Sequence, residues 1–216
     1  TAFNAVGTSL SDCAACPKGK FASISGSTSC AMCGTGQYSD AVGSATCSVC
    51  KAGKYADTLG SASCIICKSG KFNADPGTTA SLHVSCDSCK PGKYIADDSI
   101  DVEKHDQSMD CKQCDPNYFN TDFGSVGCSE CATGKVSAAG AISCSSCPSG
   151  YECGDGIQTP CKAGRYSSGG SSCLNCDPGY MCPGGVDRIE CSTGFYQSAT
   201  SASLCLSCDA GTYQPV

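Results

Sequence analysis

Cysteine recurs in this 216-residue chain as ten C-x2-C pairs, and such pairs can do three kinds of chemistry. They can ligate zinc, exchange disulfides through a reactive thiolate, or supply the halves of structural bridges. The commonest spacing, C-x2-C-x13-C-x2-C, lies close to that of zinc ribbons. Zinc needs cysteines in fours, however, and Cys153, Cys161, Cys182 and Cys191 stand outside any pair. The redox reading needs a helix N-terminus or a βαβ frame to lower a thiol pKa. The pairs CAAC, CAMC, CSVC, CIIC, CDSC, CKQC, CSEC, CSSC, CLNC and CLSC sit in no such frame. Structural disulfides are the chemistry that the pattern supports, and no cofactor or metal is assigned.

Other reactive side chains form no legible site. The stretch IADDSIDVEKHDQSMD gathers Asp97, Asp98, Asp101, Glu103, Asp106 and Asp110 around His105. It matches no EF-hand loop and lacks that loop's central glycine, so it reads as a solvated insertion. His83 lies on a separate insertion, and neither histidine is assigned a role. With 33 serines, chance pairing with a histidine means nothing, and a repeat this small supplies no rigid catalytic cleft. The expectation is a protein that is not an enzyme.

Composition explains why bridges are needed. The 24 cysteines are about 11% of the chain, whereas the 29 Leu, Ile, Val and Phe residues are about 13%. So few large apolar groups leave a chain disordered unless covalent links restrict its unfolded state. The net charge of −6 offers no basic field for phosphate backbones or anionic lipid, so nucleic acid and membrane contact are not expected. No apolar run is long enough to span a bilayer, and TAFNAVGTSL lacks the basic start and apolar stretch of a signal peptide. Cysteine in this quantity places the chain in an oxidising compartment, outside the cell or on its surface.

The elements that position the cysteines are short and repeated. From Cys13 to Cys147 successive pairs begin 17, 17, 17, 22, 25, 17 and 16 residues apart, each unit reading C-x2-C-x2-G-x-(Tyr/Phe)-x4-G-x3-C. The turn and aromatic slots hold Gly19 and Phe21, Gly36 and Tyr38, Gly53 and Tyr55, Gly70 and Phe72, and Gly92 and Tyr94. They continue as Asn117 and Phe119, Gly164 and Tyr166, Gly194 and Tyr196, and Gly211 and Tyr213, with Phe3 in the same slot at the start. Asn117 replaces glycine where a left-handed turn tolerates it. Residues 1–146 thus read as an array of units of about 17 residues with two lengthened loops, 77–86 and 94–111. Residues 147–216 read as longer modules of two loops each. The expected fold is small, disulfide-rich repeats: an elongated rod of stacked short β-hairpin and loop modules with little regular secondary structure and no helix, each aromatic packing on a disulfide or on the next unit.

The segment from Cys16 to Cys30, C-P-x-G-x-F-x8-C, resembles the first loop module of tumour-necrosis-factor-receptor cysteine-rich domains. CPSGYEC with CKAGRYSSGGSSCLNC resembles the ephrin-receptor-like (GCC2/GCC3) repeat. Such repeats occur in receptor ectodomains and in long arrays of secreted proteins of protists and algae, including those of flagellar hairs (mastigonemes). The resemblance implies a non-catalytic segment of an extracellular fibre or cell-surface stalk, its partners being further copies of the array or neighbouring extracellular proteins. The alternative it implies is a ligand-binding ectodomain whose lengthened loops form the recognition surface. No N-x-Ser/Thr sequon is present, and the 47 Ser and Thr residues make O-linked glycans the form that any attached sugar would take.

Cysteines three residues apart are poorly placed to bond each other, so each pair is expected to bridge to the next. That gives Cys16–Cys30, Cys33–Cys47, Cys50–Cys64, Cys67–Cys86, Cys89–Cys111, Cys114–Cys128 and Cys131–Cys144. In the longer modules it gives Cys147–Cys153, Cys161–Cys173, Cys176–Cys182 and Cys191–Cys205, with a crossed arrangement, Cys147–Cys161 and Cys153–Cys173 with its counterpart, as the competing choice. Cys13 and Cys208 are left over. Thr1, Phe3 and Gly7 fit the body of a loop that Cys13 would close, and Cys208 opens another, so both are expected to have partners outside a fragment of a larger array. Small-angle scattering tests the rod: a radius of gyration well above the roughly 17 Å of a 216-residue globule is the expected result, and a value near it would contradict the rod.

Overall fold

The computed structural model describes residues 13–97, 99–154, 157–170 and 172–214. Among these residues, 22 short strands pair into eleven antiparallel sheets of two strands each. The first sheet sets the pattern. Strand β1 (Lys20–Phe21) pairs with β2 (Ala31–Met32), with Lys20 opposite Met32 and Phe21 opposite Ala31. Every strand has two residues except β15 (Tyr151–Gly154) and β16 (Ile157–Pro160). There is no α-helix among the described residues; three single 3₁₀ turns, Ala80–His83, Val102–Lys104 and Ser108–Asp110, all fall in the two lengthened loops.

A left-handed turn stands before each aromatic strand. The turn glycines named above have φ between 73° and 89°, and Asn117 has φ 71°. That geometry exposes the turn amide, which the structure then uses to join units. The chain divides into two compact bodies. One comprises Thr1–Lys90, Tyr94–Lys112 and Phe123–Val126; the other comprises Pro91–Lys93, Gln113–Asp122 and Gly127–Val216.

Within the first body, the turn amide of each unit donates to the residue that follows the next unit's aromatic: Gly19 to Ser39, Gly36 to Ala56, Gly53 to Asn73 and Gly70 to Ile95, at 2.7–3.0 Å. A second bond runs from the residue after each aromatic to the returning loop one unit on. Ser39 donates to Ser61, Ala56 to His83, Asn73 to His105 and Ile95 to Ser125. The second body repeats the scheme, with Asn117 donating to Ser137, Gly150 to Ser167, Gly164 to Cys182 and Gly179 to Gln197.

What is buried follows from this. In six units the residue after the aromatic is buried whatever its chemistry, at Ser39, Ala56, Asn73, Ile95, Asn120 and Ser167, while Ala22 and Gln197 are half-buried and Gln214 is exposed. The rest of the interior is mostly cysteine, with Cys33, Cys50, Cys67, Cys89, Cys114, Cys176 and Cys182 essentially inaccessible. Apolar carbon gathers with sulfur where Phe72 packs on Cys89, Ile95 and Cys111. The other slot aromatics of the first body, Phe21, Tyr38, Tyr55 and Tyr94, are half-buried rather than enclosed. In the second body Phe119 and Tyr166 are half-buried, Tyr196 is exposed, and Tyr213 is 82% exposed, so aromatic packing does not extend to that last slot.

Close approach makes some of the turn glycines irreplaceable. A Cβ on Gly36 would overlap the Ala80 carbonyl, whereas a Cβ on Gly26, at the same φ sign, would meet nothing. Gly26→Ala should cost only the backbone strain of about 1–3 kcal/mol. Gly36→Ala should cost clearly more, because the Ala80 segment must also move. Equal losses in denaturant unfolding would show that the close approach contributes nothing.

Candidate functional site

The chemistry-bearing residues sort into bridges, turns and two histidine loops. Eleven disulfides join Cys16 to Cys30, Cys33 to Cys47, Cys50 to Cys64, Cys67 to Cys86, Cys89 to Cys111 and Cys114 to Cys128. They continue from Cys131 to Cys144, Cys147 to Cys153, Cys161 to Cys173, Cys176 to Cys182 and Cys191 to Cys205. The crossed arrangement of the longer modules is absent. The left-handed turn at Gly150 folds Cys153 back onto Cys147 before the chain reaches Cys161. Cys13 and Cys208 are free thiols, Cys13 being exposed. Residues Thr1, Phe3 and Gly7, which the sequence places in the opening loop, lie outside the described residues.

The lengthened loops are organised by the two histidines to which the sequence assigned no role. His83 and His105 are both fully buried. His83 Nδ1 donates to the Lys54 carbonyl of the preceding unit at 2.9 Å, and its Nε2 meets Asp75 Oδ2 at 2.8 Å. His105 Nδ1 likewise donates to the Lys71 carbonyl at 2.6 Å, with Nε2 2.8 Å from Asp97 Oδ2. Both groups that His83 meets through its ring nitrogens, a carbonyl and a carboxylate, are acceptors. Neither His105 Nε2 nor Asp97 Oδ2 has an aligned hydrogen-bond partner, so the two atoms make a close contact and not a directed bond. In the second body Asn120 Nδ2 donates to the Lys93 carbonyl at 3.1 Å, meeting the same need with an amide. A carbonyl just before the slot aromatic is thus capped three times, by two different chemistries.

The carboxylates around the rings are committed. Burial would raise the Asp75 pKa, but hydrogen bonds from His83, the Thr78 hydroxyl and the amides of Thr79 and Gly77 outweigh it. The carboxyl is held well below the ordinary range. Asp97 Oδ1 accepts from the Ser99 amide, and the Ser69 hydroxyl donates to the Asp97 carbonyl. Asp101 accepts from the Glu103 amide and pairs with Lys104, and Asp110 accepts from the Gln107 amide. The insertion is therefore folded around the buried His105, while Ile100, Glu103, Lys104, Gln107 and Met109 remain exposed to solvent. Asp98 lies outside the described residues, and among the rest no three His, Cys, Asp or Glu side chains are grouped to hold a metal ion. A cleft of about 300 Å³ beside this loop is lined by Tyr94, Ile95, Ala96, Asp97, Lys104, Asp110 and Lys112.

Sequence reasoning missed both clamps because each acceptor lies 29 or 34 residues away in the preceding unit. The available signal was that both lengthened loops carry a histidine shortly before the closing cysteine, at Cys86 and Cys111.

Residues 4–46 and 36–82 match, as two overlapping repeats, the family described as tyrosine-protein kinase ephrin type A/B receptor-like. No curated protein matches the chain. With its bridges in series, the chain is a tandem array of cysteine-rich repeats, ephrin-receptor-like over the matched stretch, and such repeats are extracellular disulfide-rich modules. No helix of the described residues is long and apolar enough to cross a membrane.

Two measurements test the clamps. His105→Ala leaves the Lys71 carbonyl without its donor, and should cost about 1–3 kcal/mol in denaturant unfolding, with His105→Gln losing less. Asp75 titrates lower in the folded chain than in the unfolded one, so its stabilisation is complete above about pH 4 and is lost as pH falls through the folded value. The melting temperature should drop across that acid window, and Asp75→Asn should start lower at neutral pH and drop less.

Proposed function

We propose that this chain is a non-catalytic structural segment of an extracellular fibre or cell-surface stalk. The observation that supports this most is that successive units within each body are joined by recurring backbone hydrogen bonds at the turn residue, a contact that any further unit of the same pattern could make. The interior is spent on bridges and on residues that hold one unit to the next. Both histidine rings are fully buried, each with Nδ1 on a carbonyl of the preceding unit, which leaves them no exposed edge toward a substrate. Its partners are then further units of the array or neighbouring extracellular proteins, with O-linked glycans on exposed Ser and Thr and no part for nucleic acid or membrane.

A second reading, a ligand-binding ectodomain, is favoured by one feature. The lengthened loops expose Leu82, Ile100 and Met109 at 56%, 71% and 76%. Antibody labelling of the native protein in electron micrographs separates the two. Regular decoration along a filament or stalk is the expected outcome, unchanged when Leu82, Ile100 and Met109 are replaced by serine. Capture of a soluble ligand that those replacements abolish, with no filament labelled, would overturn the structural reading.

A further inference from the structure

The eleven bridges are strictly consecutive: each ring closes before the next opens, and none encloses another. In the short-repeat array two residues separate one ring from the next, as Ala31 and Met32 do between Cys30 and Cys33. A covalent path therefore runs along the chain through sulfur and short links, bypassing the body of every loop. We propose that the oxidised array is a tension-bearing strap, in which load applied along the chain has a covalent path through the bridges and links on which no loop lies.

The link residues are placed for this. Ala31–Met32, Ser48–Val49, Ile65–Ile66 and Asp87–Ser88 form strands β2, β4, β6 and β8, each paired with an aromatic strand of the loop it follows. Load meets those pairs and the carbonyls of the path cysteines themselves, since Gly43 donates to Cys16, Gly60 to Cys33 and Gly124 to Cys89. Stretching can separate units, but it cannot draw out a loop. Loop length is thereby uncoupled from strap length. The bridges closing the lengthened loops span 19 and 22 residues against 14 for their neighbours, yet their Cα–Cα distances, 5.9 and 5.6 Å, stay within 0.2 Å of the neighbours' 5.8 Å. An insertion inside a ring adds surface without adding extension.

With each bridge spanning 5.6–5.9 Å, the stretched path from Cys13 to Cys208 is about 230 Å. Once every bridge is reduced the same chain reaches about 680 Å, roughly threefold more. Reduction by a dithiol balances at each bridge: two electrons and two protons pass to the cystine, giving two Cys thiols, while the dithiol closes to its cyclic disulfide.

The strap rests on the structural reading for its use, but its test does not. DNA handles are attached to the free thiols of Cys13 and Cys208, and the full chain is stretched in optical tweezers. The oxidised chain should stop near 230 Å, extend about threefold on adding dithiol, and gain about 45 Å in Cys50→Ala/Cys64→Ala. Ten Gly-Ser residues inserted after Gly77 should leave the oxidised limit unchanged, whereas the same insertion between Cys111 and Cys114 should lengthen it by about 35 Å. An oxidised limit of several hundred ångströms, or lengthening by the insertion after Gly77, would overturn the strap. A short limit in a chain that labels no filament would keep the strap and remove the fibre reading.

Discussion

One backbone hydrogen bond, from the amide of a left-handed turn to a carbonyl one unit along, is the constraint on which the structure depends. It is possible only because the turn residue takes positive φ, which presents its N–H outward. It is useful only because the receiving carbonyl follows an aromatic strand that a disulfide holds in place. The bridge fixes each ring, the turn aims the donor, and the neighbouring ring supplies the acceptor. Burial of carbon contributes little to this, which is why a chain with so few large apolar residues can be ordered at all.

The lengthened loops show how strict that scheme is. Where a loop grows beyond the common length, the returning acceptor would be lost, and in each case a histidine takes its place. The His83 and His105 carbonyls accept from Ala56 and Asn73, while their rings reach back to cap Lys54 and Lys71. One residue thus makes both the main-chain bond to the preceding unit and a side-chain bond to it. Asp75 and Asp97 then fix the rings, and the rest of each insertion folds over them. Such buried pairs cost desolvation, so their value lies in specifying one arrangement of a long loop as well as in strength.

Turn and aromatic positions were legible in the sequence because each is a property of one residue type at a fixed spacing: glycine or Asn117 for the turn, Phe or Tyr for the strand. The buried position just after the aromatic was not. It holds Ser39, Ala56, Asn73, Ile95 and Asn120, a set with no shared hydrophobicity, because it is the backbone that the site buries. The histidine clamps were hidden for a related reason. Their partners are main-chain carbonyls and aspartates that leave no chemical mark of the pairing in a sequence, and Asp97 looked like one member of an acidic cluster. The choice between consecutive and crossed bridges in the longer modules was open to arithmetic and is closed by the turn at Gly150.

The consecutive bridges also bear on how such a chain is made. Every bridge joins cysteines between 6 and 22 residues apart. At synthesis rates of about 5–20 residues per second, both halves of any ring enter the oxidising compartment within a few seconds of each other. When the second half of a ring arrives, its own first half is the nearest unpaired thiol outside its C-x2-C pair, and the cysteines of later rings have not yet been made. Growth of the chain from its N-terminus thus reduces a very large pairing problem to a series of small ones, each with a neighbour at hand.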